Sequence, residues 1–303
     1  MTNPTTSAPT VAVLGLGAMG LPMATRLAED LPVRGFDIAP ARLDLAEAAG
    51  IARFESAAAA IDGADAVLLA VRDSAQLADV LFGDAGIASG LRAGAIVILT
   101  STVGTDGIAD VAKRLGEVGV DLVDAPLSGG PVRAGKGDLL IVVGATPDAR
   151  KKAQPVLERL ASTLTVVGDR PGDGQALKTV NQLLCGVHIA AAAEALALAD
   201  ALGLDPQRTL EALGAGAAAS FLLADRGPRA LQAYDDEGAP VLSRLDIFVK
   251  DLGIVTKAAR GARLATPVAA AAEQLFLIGE AQGLAGSDDS AVIKVVAPQR
   301  RTA

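Results

Sequence analysis

The stretch Val11-Ala12-Val13-Leu14-Gly15-Leu16-Gly17-Ala18-Met19-Gly20 decides the fold. A short apolar run meets a G-x-G-x-x-G turn, and an alanine-rich helical pattern through Ala24 and Ala28 follows. Strand, glycine turn and helix in that order make the phosphate cradle of a dinucleotide-binding βαβ unit. Gly15 allows the tight turn, Gly17 lets the backbone approach a pyrophosphate, and Gly20 lets the helix pack close to its strand. The helix start offers free N–H groups and the positive end of its dipole to the anion. Leu16, Ala18 and Met19, between the glycines, belong to the same expected cofactor-binding turn.

Working outward, Pro32-Val33-Arg34-Gly35-Phe36 reads as the next strand and ends at Asp37. That is the place of an acidic ribose ligand, about 20 residues beyond the glycines. A carboxylate there accepts hydrogen bonds from both ribose hydroxyls and repels a 2′-phosphate, which favours NAD over NADP. Nearby Arg42 pulls the other way, and capping of a turn before Pro40 is the plain alternative for Asp37.

Further short β-type runs cover Ala66–Val71, Ala95–Leu99, Asp121–Asp124, Leu139–Val143 and Thr163–Val167. Helical patterns fill the gaps at Ala18–Glu29, Ala41–Ala48, Ala75–Leu81, Thr105–Val118 and Pro147–Ala161. This alternation predicts an α/β fold, a mostly parallel doubly wound sheet of Rossmann type. Ligand then lies outside the carboxyl ends of the strands. Val71 and Arg72, where one run ends, are counted with the cofactor-binding residues.

The rhythm changes after Gly168, so the expected domains are 1–168 and 169–303, the second all-α. One long helix is predicted over Gln175–Leu202, roughly 40 Å at 1.5 Å per residue, stopped by Gly203 and Pro206. Its middle, Leu183–Ala193, is apolar nearly all round, which suits a connector or subunit contact buried on several sides. Helices are also expected over Pro206–Leu213, Asp246–Gly261 and Pro267–Ala281, and disorder at the chain start and over Gln299–Ala303.

With 303 residues, 51% of them hydrophobic, there is ample material for two cores. A formal net charge of −8 argues against nucleic acid or an anionic membrane as partner. Cys185 is the lone cysteine, which excludes an intrachain disulfide and a cysteine-based metal site. His188, the lone histidine, falls in an apolar helical stretch and reads as structural. Met1–Pro9 has neither a basic nor an apolar leader segment, and no window offers 18 uncharged apolar residues. A cytoplasmic protein is expected, with no metal.

Four segments carry candidate chemistry. Lys178, Asn181 and Gln182 stand at i, i+3 and i+4 and share a helix face, against a solvated first turn as the plain alternative. Ser128, Gly129 and Gly130 follow a predicted strand and could hold a carboxylate in a backbone nest, or form an ordinary glycine turn. Ser101-Thr102 follows another strand, where a hydroxyl sits within reach of an expected nicotinamide amide. Lys250-Asp251-Leu252 lies in a later helix, where a surface ion is the usual case.

Taken together, Gly15 to Gly20 with Met23, Ser101-Thr102, Asp124 to Gly130 with Ala134 and Gly137, Gly172 to Asn181, and Lys250-Asp251-Leu252 resemble the β-hydroxyacid dehydrogenase family over nearly the whole chain. Val180 to Ala190 and Asp288 to Lys294 look most like its L-threonate dehydrogenase branch. The resemblance implies Lys178 as catalytic general acid/base and Ser128, Gly129 and Gly130 as the substrate-binding turn. It implies Asn181 as the first of two amides after the lysine, with Gln182 in the second place, and Thr102 and Lys250 at the nicotinamide end. It also implies hydride transfer between NAD and a small anionic hydroxy acid at a cleft between the domains, and assembly as a homodimer or homotetramer. Within the family, 3-hydroxyisobutyrate dehydrogenase and tartronate semialdehyde reductase are the alternatives. Imine reductases of related fold usually replace the lysine, and a non-catalytic nucleotide-binding module would have lost it. Three departures stand out. Leu99 replaces a common acidic residue, Thr105 a common proline, and Gln182 a common asparagine, which reshapes the pocket against a branched 3-hydroxy acid.

Overall fold

The structure, a computed structural model, describes residues 8–299; most of the terminal residues for which disorder is expected lie outside them. The described chain divides into two compact units between Lys178 and Thr179. In the first unit the strands are β1 (Val11–Leu14), β2 (Val33–Phe36), β3 (Ala52–Arg53), β4 (Ala66–Leu69), β5 (Ile96–Leu99), β6 (Asp121–Asp124), β7 (Leu127–Ser128), β8 (Leu139–Gly144) and β9 (Ala161–Gly168). They form one sheet in the order β3-β2-β1-β4-β5-β6-β8-β7, with β9 paired to β8. The first six of these strands are parallel in register, while β8 runs antiparallel to β6 and β7.

The helices between them are α1 (Gly20–Ala28), α2 (Pro40–Ala48), α3 (Ala57–Ile61), α4 (Ser74–Phe82), α5 (Ile108–Glu117), α6 (Gly130–Gly135) and α7 (Pro147–Leu160). Strand periodicity sorts the core. Val11 and Val13 of β1 join Met23, Leu27, Ala153 and Leu157 in one apolar cluster, while Ala12 and Leu14 join Ile61, Leu77, Leu81 and Leu115 in another. Both faces of the sheet are therefore covered by helices, which is why the central strands read as continuous apolar runs rather than alternating ones. The short pieces β3, β7, α3 and α6 escape sequence reading because two to six residues give no usable period.

Helix α8 (Asp173–Ala201) starts the second unit's helical series. It is followed by α9 (Pro206–Gly214), α10 (Phe221–Gln232), α11 (Leu245–Gly261), α12 (Pro267–Ala281) and α13 (Ile293–Val296). The second core gathers Ile189, Ala193 and Leu196 of α8 with Leu245, Phe248 and Leu252 of α11 and Phe276 of α12. The Phe248 and Phe276 rings stack with centroids 5.3 Å apart. Helix α10 went unrecognised because Gly227 and Pro228 interrupt its pattern. Packing overrides propensity there: a Cβ on Gly227 would come within 2.4 Å of Leu210, so the glycine lets α9 and α10 approach.

The expectation that the middle of α8 is buried on several sides is corrected. One side enters the core, but within that middle Leu184 is 50% exposed and Ala191 is exposed too. An all-apolar composition does not choose a buried face; the neighbours available to pack do. By length and composition α8 is apolar enough to cross a membrane, and 44% of its most apolar window is buried within the protein.

An ionic knot ties α10 to the segment before α13. Arg226 forks onto Asp289 with both bonds at 2.9 Å, and Asp289 is fully buried. Arg229 donates to Asp288, which also accepts from Leu242 N, Ser243 N and the Ser290 hydroxyl. Burial pushes the Asp288 carboxyl up, but these donors outweigh it and hold it below the ordinary aspartate range. Removing one partner of such a pair strands the other charge. Asp289→Ala is therefore expected to destabilise the protein by about 3–5 kcal/mol, read from chemical denaturation.

Candidate active site

The glycine turn is built by two close approaches. Gly15 has φ +94°, and a Cβ there would lie 2.5 Å from Ala70 O at the end of β4. A Cβ on Gly20 would lie 1.8 Å from Gly15 O, so α1 starts directly over the turn that feeds it. A Cβ on Gly17 would meet nothing within 4 Å: this glycine faces open space. No side chain caps the start of α1. Within the first turn Leu21 N bonds to Gly17 O at 3.2 Å and Pro22 carries no N–H, so an outside acceptor such as a dinucleotide pyrophosphate would meet the glycine turn and the positive end of the helix.

Asp37, directly after β2, is tied to that turn. One carboxylate oxygen accepts from Leu16 N at 2.6 Å and the other from Ala39 N at 2.8 Å. The turn-capping bonds therefore leave acceptor capacity on both oxygens. Each oxygen spends one acceptor position on the backbone and keeps another for a ribose hydroxyl. Val71 and Arg72 follow β4; Arg72 is exposed, and its N–H is held by the Gln76 side chain at 2.9 Å.

The lysine lies against the serine turn. Lys178 is only 7% exposed, and its Nζ donates to Ser128 Oγ at 3.0 Å. This overturns the plain alternative of a solvated first turn. Ser128 is the last residue of β7, and Gly129 and Gly130, with φ of 142° and 73°, turn the chain into α6. Thr102 is half-buried in the loop after β5, where the Thr100 hydroxyl is anchored on Leu69 O at 2.8 Å.

Two residues that the sequence left without a role hold this arrangement. Asp124, the last residue of β6, is fully buried and accepts from Gly172 N at 2.9 Å and Gln175 N at 2.8 Å, at the start of α8. Burial drives its carboxyl above the ordinary aspartate range, against the opposing pull of the Gln175, Gly172 and Gly174 hydrogen bonds. Gln175 is also fully buried. Its position one turn before Lys178, on the same face, was the available signal.

In the second unit, the remaining site candidates form a chain of their own. Asn181 donates to Gln182 Oε1 at 2.9 Å and to Cys185 Sγ at 3.4 Å, and Gln182 donates to Asp251. Lys250 Nζ pairs with the second Asp251 oxygen at 2.9 Å, an ion pair without hydrogen-bond alignment. Asp251 is buried, so the expected surface-ion alternative for this pair is corrected: the carboxylate faces the amides of α8, not water. Among the described residues, no three or more histidine, cysteine, aspartate or glutamate side chains group to hold a metal.

Residues 10–168 match the family described as the NAD binding domain of 6-phosphogluconate dehydrogenase. Residues 172–296 match the family described as NAD-binding of NADP-dependent 3-hydroxyisobutyrate dehydrogenase. The chain is 38% identical over 286 residues to an L-threonate dehydrogenase of Cupriavidus necator, covering 94% of this chain and 95% of that protein. It is 35% identical to a 2-(hydroxymethyl)glutarate dehydrogenase of Eubacterium barkeri, over 94% of both chains. A crystal structure of a 3-hydroxyisobutyrate dehydrogenase from Salmonella typhimurium superposes with a TM-score of 0.85 at 34% identity, covering 94% of this chain and 99% of that one.

The open space beside Gly17 gives a clean test of the cradle. Gly17→Ala is expected to leave thermal stability unchanged and to weaken NADH binding about tenfold or more, measured by fluorescence titration. Gly20→Ala is expected to lose both.

Proposed function

The chain belongs to the β-hydroxyacid dehydrogenase family, NAD-dependent enzymes, and on that premise we propose that it oxidises a small polyhydroxy acid of the L-threonate class, with Lys178 as general acid/base. The observation that carries this is the Lys178–Ser128 pair: a buried lysine amine donating at 3.0 Å to a hydroxyl beside a glycine turn, which as the neutral amine keeps its lone pair for the substrate proton. When bound, NAD would be held by the Gly15–Gly20 turn and Asp37 and would supply the hydride acceptor, while the protein orients the acid and manages its proton.

Lys178 Nζ takes the proton of the substrate hydroxyl on oxidation and returns it on reduction. Ser128 Oγ, with the N–H groups of Gly129 and Gly130, takes the carboxylate. The positive φ of both glycines supports that assignment, because it turns successive N–H groups in a way that side-chain-bearing residues resist. Asn181 and Gln182 are assigned to the substrate hydroxyls, and Thr102 and Lys250 to the nicotinamide side. Gln182, one methylene longer than the asparagine common in relatives, favours L-threonate over 3-hydroxyisobutyrate. Retention of Lys178 favours alcohol oxidation over imine reduction. The two Asp37 oxygens support NAD over NADP. The exposed apolar stripe of α8 and exposed Leu264 and Val268 support a homo-oligomer, and the single free thiol supports a cytoplasmic setting.

Nicotinamide absorbance with L-threonate, 3-hydroxyisobutyrate and glycerate, each with NAD and NADP, tests the reading; L-threonate with NAD is expected to give the highest kcat/KM. Lys178→Met is expected to lower kcat about 10²–10⁴-fold while NADH still binds. Asp37→Ala is expected to erode the preference for NAD, and an unchanged NAD/NADP ratio would remove Asp37 from the ribose site.

A further inference from the structure

The Gln175 side chain takes no part in the proton and carboxylate roles assigned above, yet it is fully buried and fully engaged. Its amide nitrogen donates to Ser101 O and to Asp124 Oδ1, both at 2.9 Å. Its amide oxygen accepts from Val103 N at 2.9 Å and Gly104 N at 3.1 Å. These partners fix which way round the amide stands. A carbonyl and a carboxylate can only accept and two backbone N–H groups can only donate, so the flipped amide would face like against like on both sides. Asp124, accepting from the start of α8, locks the donor end.

The geometry has a consequence for the site. Ser101 and Val103 are the two neighbours of Thr102, and both are held by one side chain, so the Thr102 loop cannot shift without breaking buried hydrogen bonds. The same side chain stands one helical turn before Lys178, on its face of α8. We propose that Gln175, oriented by Asp124, is a positioning residue that sets Lys178 and the Thr102 loop in one rigid frame for hydride and proton transfer. This rests on the roles proposed above for Lys178 and Thr102. It touches no reacting atom itself; a displacement of about 1 Å at the reacting groups is enough to cost on the order of a hundredfold in rate.

Three variants test the proposal: Gln175→Met, which removes the hydrogen bonds at similar length; Asp124→Asn, which turns a donor against the Gln175 donor; and the exchange Asp124→Asn with Gln175→Glu. The exchange restores the bond between the two side chains and the acceptor for Val103 and Gly104, but sets a carboxylate oxygen against Ser101 O, so recovery is expected to be partial. Amide hydrogen exchange at Val103 and Gly104 reads the clamp without any turnover. Expected in Gln175→Met are faster exchange at both amides and a kcat with L-threonate and NAD lowered about 10–100-fold, while KM moves much less. The primary isotope effect from substrate deuterated at the oxidised carbon should rise. The exchange variant should recover part of the kcat that Asp124→Asn loses. Faster amide exchange with unchanged kcat would overturn the positioning role, and unchanged amide exchange would overturn the clamp. If Gln175→Met does not fold, the exchange variant decides: kcat no better than Asp124→Asn alone overturns the proposal. A wild-type protein inactive on all three acids overturns the dehydrogenase reading instead, and exchange at Val103 and Gly104 separates that failure from failure of the clamp.

Discussion

A carboxylate with no access to water is the constraint on which the catalytic half of the molecule depends. Burying Asp124 is costly, and it is tolerated because the open N–H groups at the start of α8 and the Gln175 amide surround it with donors. The bond runs both ways. The helix start receives the acceptors it lacks, and strand β6 receives a fixed partner for its last residue. Side chains along the first turns of α8 are thereby phased against the sheet. Lys178 reaches Ser128 because β6 and α8 are joined at this point.

The sheet sets everything else that the site needs. Gly15 follows β1, Asp37 follows β2, Val71 lies just beyond β4, Thr102 follows β5, and Asp124 ends β6. In parallel strands all these positions lie at the carboxyl end, so one edge collects them. Strand β7 continues in the direction of β6, both antiparallel to β8, so Ser128 lies beyond Asp124 at the same end and the chain reverses only afterwards, through α6 into β8. Neighbouring strands in register, such as Leu14 beside Phe36 and Leu69, leave little slack in where their loops begin.

Most of this was legible in the sequence, for identifiable reasons. The central strands are apolar without interruption because helices cover both faces, and that pattern survives in composition alone. The glycine turn, Asp37 and Lys178 carry chemistry that few residue types supply at such spacing. Gln175 was not legible as a hub. Its role comes from residues 51 to 74 positions away along the chain, and its place one turn before Lys178 is a local sign of the face it shares, not of these partners. Asp251 was hidden for the same reason, since a Lys-Asp pair on a helix gives no sign that its carboxylate is buried. The exposed side of α8 was unreadable because an all-apolar helix has no amphipathic signal, and Gly227-Pro228 masked α10 behind two residues that usually end a helix.

At Asp37 the two roles that seemed to compete in the sequence are compatible: the capping bonds and the proposed ribose contact use different acceptor positions. Its bond to Leu16 N ties the end of β2 to the glycine turn, so the acid that would read the ribose also shapes the cradle for the pyrophosphate. With Ala39 N on the other oxygen, the carboxylate is held in one orientation before any ligand arrives. Two hydroxyls can donate to what remains; a phosphate ester brings only acceptors and negative charge. On the proposed ribose role, preference between the two nicotinamide cofactors would follow from the same bonds that fold the turn. The exposed Arg42 on α2 lies outside that set, and as a solvated surface cation it weighs less than a carboxylate fixed on both oxygens.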